Sequence, residues 1–143
     1  MRPAIESGDW LLVDPLTARW PRRGSVVVFR EPEDGTLAIK RVAARPGDWV
    51  PFADGWLQMG DDEAWLLGDA SDEDVAAAGA GPPVDSRRYG PVPVSLLVGR
   101  AWFRYGPPGR PIGLLAHTPA DLLARGRSTD MPSGTGTGSP PLD

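Results

Sequence analysis

Turn-forming residues interrupt this chain so often that they decide its class. Gly (18) and Pro (17) together supply nearly a quarter of the 143 residues. Glycine frees φ, while proline fixes it and removes a backbone donor, so both interrupt helices and favour turns. Short strands joined by many turns are the expected result, with six Trp supplying large packing surfaces. Apolar, β-branched runs between the turns predict strands over residues 9–14 ("DWLLVD"), 24–30 ("GSVVVFR"), 36–44 ("TLAIKRVAA"), 63–69 and 95–107. "WVPF-ADG-WLQM" predicts a hairpin, with Asp54-Gly55 supplying the positive φ angles of a tight turn.

The acidic, then Ala/Gly/Pro-rich stretch 71–84 lacks a helical stripe and is expected to be a mobile insertion. Residues 113–126 suggest one or two helical turns, with Thr118 as N-cap before Pro119. From about residue 128 the chain has no means of packing and is expected to be disordered. The organisation is therefore a β domain over 1–106, an extension over 107–127 and a tail over 128–143. A net charge of −4 argues against a general nucleic-acid partner. The absence of Cys excludes disulfides, thiolate metal sites and Cys nucleophiles, and the lone His117 disfavours a His-based triad or metal site, so no metal or cofactor is expected. No apolar run is long enough to span a membrane as a helix.

Two stretches could carry chemistry. In "AIKRVAARPGD", Lys40 shares a strand face with Ala38 and Val42 under two-residue alternation. Small apolar neighbours strip water from an amine, and desolvation favours its neutral form, a competent general base. A solvated lysine on an edge strand is the alternative. In "DSRRYG", Asp85 could pair with an Arg and pin the loop, and Ser86 could donate toward Lys40; an ordinary polar loop is the alternative.

The order of these pieces says more than any one of them. "M-R-P-A-I-x-x-G-D-x-x-L-V", "G-S-V-V-V-F", "I-K-R-V-x-x-x-P-G-D" and "L-G-D-x(15)-D-S-R-x-Y-G-P-V" resemble the type I signal peptidases of the S26 serine peptidase family, from Met1 to about Tyr105. The resemblance implies a mainly β fold of coiled antiparallel sheets, shared with the LexA-like S24 peptidases. It implies a Ser/Lys dyad that cuts a preprotein or leader peptide held extended beside the site. Lys40 matches the general base and Arg41 its neighbour. Met1 and Pro3 match positions after the nucleophile, and Asp69, Asp85, Ser86 and Arg87 match the supporting box. The nucleophile of the "S-M-x-P-T" motif falls directly before Met1, so the chain as given is expected to be inactive without it. Ser7 would need a different backbone path to replace it. Two further departures stand out: Ala70 and Ser71 occupy the Asn and Arg positions of the usual "G-D-N-R", and Pro83 stands where a supporting Ser is common.

Three readings follow: a membrane-associated signal peptidase, a soluble maturation protease for a metalloenzyme precursor, and a non-catalytic peptide-binding module. Ile5, Leu11, Val13, Phe29, Trp102 and Phe103 are candidates for either the core or a substrate groove. Trp10 and Trp20 are candidates for contact with a membrane surface.

Overall fold

The structure, a computed structural model, describes residues 5–6, 8–69 and 84–115. Nine strands dominate it: β1 (Trp10–Asp14), β2 (Val26–Arg30), β3 (Leu37–Ala44), β4 (Trp49–Phe52), β5 (Gly55–Gln58), β6 (Glu63–Leu67), β7 (Val92–Pro93), β8 (Leu97–Gly106) and β9 (Gly113–Leu114). One four-residue helix, α1 (Ser86–Tyr89), and a 3-10 turn (Val94–Leu96) interrupt them. The main sheet runs β1-β8-β2-β3-β6-β7 with β9 against β8, and β4-β5 form a separate hairpin. Every strand pair is antiparallel, as the fold class predicts.

Strand β2 explains how the layers are held. Its "VVVF" run has no polar alternation because both faces are covered, a pattern expected of a central strand. Val27 and Phe29 enter one cluster with Trp20, Val42, Ala64, Leu66 and Val92. Val26 and Val28 enter another with Ile5 and Ala101. A third cluster forms where β3 bends. A register shift between Val42 and Ala44 lets both Ala43 and Ala44 turn inward against Val50, Met59, Trp65 and Leu67. The β4–β5 hairpin closes that end, with Phe52 edge-on to Trp65 at 5.8 Å.

Several expectations need correction. The hairpin forms, but its loop is Ala53-Asp54 because Gly55 already pairs with Phe52; the positive φ, 51°, therefore falls on Ala53. Trp20 is no membrane contact. It is buried to 2 % exposure and its indole Nε1 donates to the Asp62 carbonyl at 2.7 Å, so a loop residue has become core. Trp10, at 48 % exposure, remains on the surface. The last long strand starts at Leu97, since residues 94–96 form the 3-10 turn. Gly113 and Leu114 pair with Arg104 and Phe103 of β8 as a short strand, which removes the first residues of the expected helical turns. The rest of those turns, including Thr118, lies outside the described residues, as do the tail and the insertion except for Val84. Of the core-or-groove candidates, Ile5 and Phe29 are buried, Leu11 and Val13 pack beside Ile5, Phe103 is half-buried and Trp102 is exposed.

The contact between β1 and β8 leaves no room at Gly99. A Cβ there would stand 2.2 Å from the Asp14 carbonyl oxygen and 2.8 Å from Val13 Cγ1. Gly99→Ala is expected to prise β1 from β8 and cost about 2 kcal/mol, read as a lower urea midpoint; an unchanged midpoint would contradict this packing.

Candidate active site

Lys40 sits on β3 opposite Val27 of β2, on the face that carries Ala38 and Val42 toward the Trp20–Leu66 cluster. This is the face the alternation predicted. Its side chain is half-buried and reaches over Gly68: a Cβ on Gly68 would lie 3.8 Å from Nζ and 3.9 Å from Asp85 Oδ2. Among the described residues no carboxylate comes within ion-pair distance of Nζ. Its charge is felt at Glu31. Burial and the Asp34 charge push that carboxyl above its ordinary range, and Lys40 pulls the other way.

The neighbour, Arg41, points to the opposite face and is buried. Its Nε donates to Asp69 Oδ1 at 2.8 Å, Nη2 to Asp69 Oδ2 at 3.0 Å and Nη1 to the Gly24 carbonyl at 3.0 Å. With the side chains 6 % and 11 % exposed, this is a desolvated bidentate pair, tolerable only because its geometry satisfies both partners. It ties β3 to the residues just past β6.

Asp85 and Ser86 do a different job on β6. The partner strand β7 pairs only with Glu63 and Ala64, so the rest of that edge would be left open. The Leu66 N–H instead donates to Ser86 Oγ at 2.9 Å, and the Gly68 N–H to Asp85 Oδ2 at 3.1 Å. Two side chains thus continue the ladder where a strand stops. Asp85 also caps α1, accepting from the Arg87 N–H at 3.0 Å, and takes Arg87 Nη2 at 2.6 Å. Burial works to raise the Asp85 carboxyl, but the Arg87 side chain, the Gly68 and Arg87 N–H groups and the Arg87 charge outweigh it and hold the carboxyl below its usual range. Nearby, burial followed by the Glu31 and Asp85 charges pushes the Tyr89 hydroxyl above the ordinary phenol range.

The structure therefore brings Lys40, Arg41, Asp69, Asp85, Ser86 and Arg87 together around Gly68. Asp85 does pair with an arginine, Arg87. Ser86 Oγ accepts from the Leu66 N–H. Met1 and Pro3 lie outside the described residues, as do Ser7, Ala70, Ser71, Pro83 and His117. Sequence reasoning missed the backbone partners, the Gly24 carbonyl and the Leu66 N–H, because a main-chain group leaves no residue signature.

The family model for "Signal peptidase, peptidase S26" matches residues 1–77, which holds the Lys40-Arg41 and Gly68-Asp69 pairs. The chain belongs to the S26 peptidase family. Mitochondrial inner membrane protease subunit 1 of Schizosaccharomyces pombe is 32 % identical over 71 % of this chain and 68 % of its own length. A probable signal peptidase I-2 of Synechocystis is 30 % identical over 80 % of this chain and 62 % of its own length. Thylakoidal processing peptidase 1 of Arabidopsis thaliana is 28 % identical over 84 % of this chain and 43 % of its own length. The chain thus spans about two fifths of the thylakoidal S26 relatives it matches. No helix among the described residues is long and apolar enough to cross a membrane.

Because its native interactions lower the Asp85 carboxyl, their contribution is complete above the unfolded carboxyl pKa of about 3.9 and fades as pH falls through the folded value. Asp85→Asn is expected to lose about 2 kcal/mol at pH 7. The gap from wild type should narrow below about pH 4. Urea unfolding at pH 7 and pH 3 checks both; a gap that persists at pH 3 would contradict the assignment.

Proposed function

We propose that this domain is the catalytic β domain of a leader peptidase, a serine endopeptidase with Lys40 as general base. The observation that carries the reading is the placement of Lys40. Its Nζ lies half-buried beside Gly68 with no described carboxylate in ion-pair reach, between two arginine–carboxylate pairs that satisfy their own charges. An amine held at that edge is within reach of a hydroxyl presented beside it, the geometry a general base requires. The nucleophile in this reading is the serine that the family motif places directly before the Met1 position. Its Oγ attacks the scissile carbonyl while its proton passes to Nζ. The C–N bond then breaks, with that proton going to the leaving amine, and water, deprotonated by Nζ in turn, releases the acyl group. Asp85, Ser86 and Arg87 position the β6 edge against which Lys40 lies, and Arg41–Asp69 fixes the strand that presents it.

The substrate in this reading is a preprotein or leader peptide, held extended beside the site; the names of the processing and signal peptidase relatives support the class. The test uses a protein carrying the residues encoded upstream of Met1. Lys40→Ala is expected to lower leader-peptide cleavage at least about 10³-fold with an unchanged circular dichroism spectrum. Retained cleavage, or an upstream residue other than Ser, overturns the dyad.

Exposed Trp10 and Leu12 on β1 and Trp102 and Tyr105 on β8 favour a seat for this domain on a lipid surface. Leu12 and Trp102 line one open groove with Val13, Asp14, Pro15 and Arg100, of about 590 Å³. Replacing both Trp10 and Trp102 with Ala is expected to reduce co-sedimentation with anionic phospholipid vesicles several-fold; equal sedimentation would remove the lipid seat.

A further inference from the structure

Arg100 on β8 is a cation that the chemistry above leaves unused. Among the described residues no carboxylate lies within ion-pair distance of it, and its Nε is buried without a hydrogen-bond partner. Arg104 and Arg110, by contrast, close on Asp9. The Arg100 backbone is fixed, since its N–H donates to Thr17 Oγ1 at 3.1 Å. Its side chain is half-buried and lines the open groove of about 590 Å³ with Leu12, Val13, Asp14, Pro15 and Trp102. Arg100 pairs with Asp14 of β1 on one side and Val27 of β2 on the other, and Val27 pairs with Lys40. Directly opposed residues share a sheet face, so Arg100 stands on the face that carries Lys40, two strands across.

One occupant has to meet two properties of this groove. A partly desolvated guanidinium calls for an anion. The surroundings are apolar: Leu12 and Trp102 line the groove, and Trp10 and Tyr105, their rings 5.7 Å apart, are exposed on the same two strands. A soluble anion answers the first property and leaves the second unexplained. A phospholipid carries a phosphate and acyl chains on one molecule, and amphipathic aromatics favour the headgroup level. The net charge of −4 opposes attraction to anionic surfaces in general, so the attraction must be local, at a cation not already neutralised. Asp14 refines the ligand. Its Oδ1 accepts the Leu16 N–H at 2.9 Å, which leaves a negative charge on the same groove. That charge penalises a dianion, so a singly charged phosphodiester suits the groove better than a phosphomonoester.

We infer that Arg100 and the apolar lining beside it form a binding site for one phospholipid headgroup. The guanidinium takes the phosphodiester, and Leu12 and Trp102 take the first carbons of the chains. The inference rests on the lipid seat proposed above and adds to it a single anchoring point of stated chemistry. A guanidinium fork holds two phosphate oxygens at once, which fixes direction as well as charge. Scattered aromatics alone leave a domain free to roll on a bilayer. Because Arg100 shares a sheet face with Lys40, the anchor also sets how that face is turned relative to the lipid.

The test compares vesicles of phosphatidylglycerol with vesicles of digalactosyldiacylglycerol, a lipid without phosphate. Arg100→Gln is expected to weaken co-sedimentation with phosphatidylglycerol about fivefold and to leave that with the galactolipid unchanged. Arg100→Lys, which keeps the charge without the fork, should recover only part of the loss. Arg23→Gln removes the same charge beside Asp48, away from the groove, and should lose less than about twofold. Equal losses in Arg100→Gln and Arg23→Gln would reduce the effect to diffuse charge and overturn the site, as would equal losses on both lipids. If Arg100→Gln sediments like wild type while the Trp10→Ala, Trp102→Ala double variant is weakened on both lipids, the headgroup site alone fails. If wild type binds neither vesicle, the lipid seat fails and takes this site with it. A second measurement needs no variant. Dihexanoylphosphatidylglycerol below its micelle concentration should shift the Arg100 Nε–H resonance, and glycerophosphoglycerol, the same headgroup without chains, should shift it far less. An acidic peptide that shifts the resonance where the lipid does not would assign the groove to a protein partner and overturn the inference.

Discussion

A guanidinium inside a protein is tolerable only when its donors meet acceptors and its charge meets a counter-charge. Arg41 imposes that demand on this fold. Three of its hydrogen bonds go to Asp69, just past β6, and to Gly24, just before β2, so one side chain ties down residues flanking both neighbours of β3. Satisfying Arg41 fixes the residue next to it. Lys40 is turned to the other face by the same strand geometry and cannot swing without disturbing a buried ion pair. The base is thus aimed by a residue that takes no part in the chemistry proposed for it.

The second organising feature is the β6 edge. A strand that ends early normally leaves N–H groups for water or for another chain. Here Ser86 Oγ and Asp85 Oδ2 receive two of them, and the donors are spaced two residues apart, as a real ladder would space them. The short helix begins where that substitution ends, and its cap is the same Asp85. A single carboxylate therefore completes a sheet, starts a helix and neutralises Arg87.

Much of this could be read from the sequence where the signal was local. The β class followed from Gly and Pro density, and the face of Lys40 from two-residue alternation between Ala38 and Val42. The supporting residues were visible only through their order along the chain, since nothing in "DSR" by itself tells a ladder mimic from a polar loop. Long-range partners were not legible. Asp69 finds Arg41 across 28 residues only after a bulge at Ala43 sets the register, and Asp9 finds Arg110 across 101. Trp20 looked like an exposed loop aromatic because its anchor is a backbone carbonyl, that of Asp62. The hairpin was correct in place and wrong in detail, because Gly55 was needed by the ladder rather than the turn.

Strands β1 and β2 are consecutive in the chain, yet neither pairs with the other; both pair with β8. Until residues 97–106 have been synthesised and docked, both strands keep an open edge, and β2 presents its uninterrupted valines to solvent. Assembly of this half of the sheet must therefore wait for contacts 68 to 75 residues distant, the kind of topology that folds slowly and exposes sticky intermediates. A nascent chain of this kind is vulnerable to misassociation until β8 closes the gap, so the arrival of one late strand governs how safely the whole sheet is made.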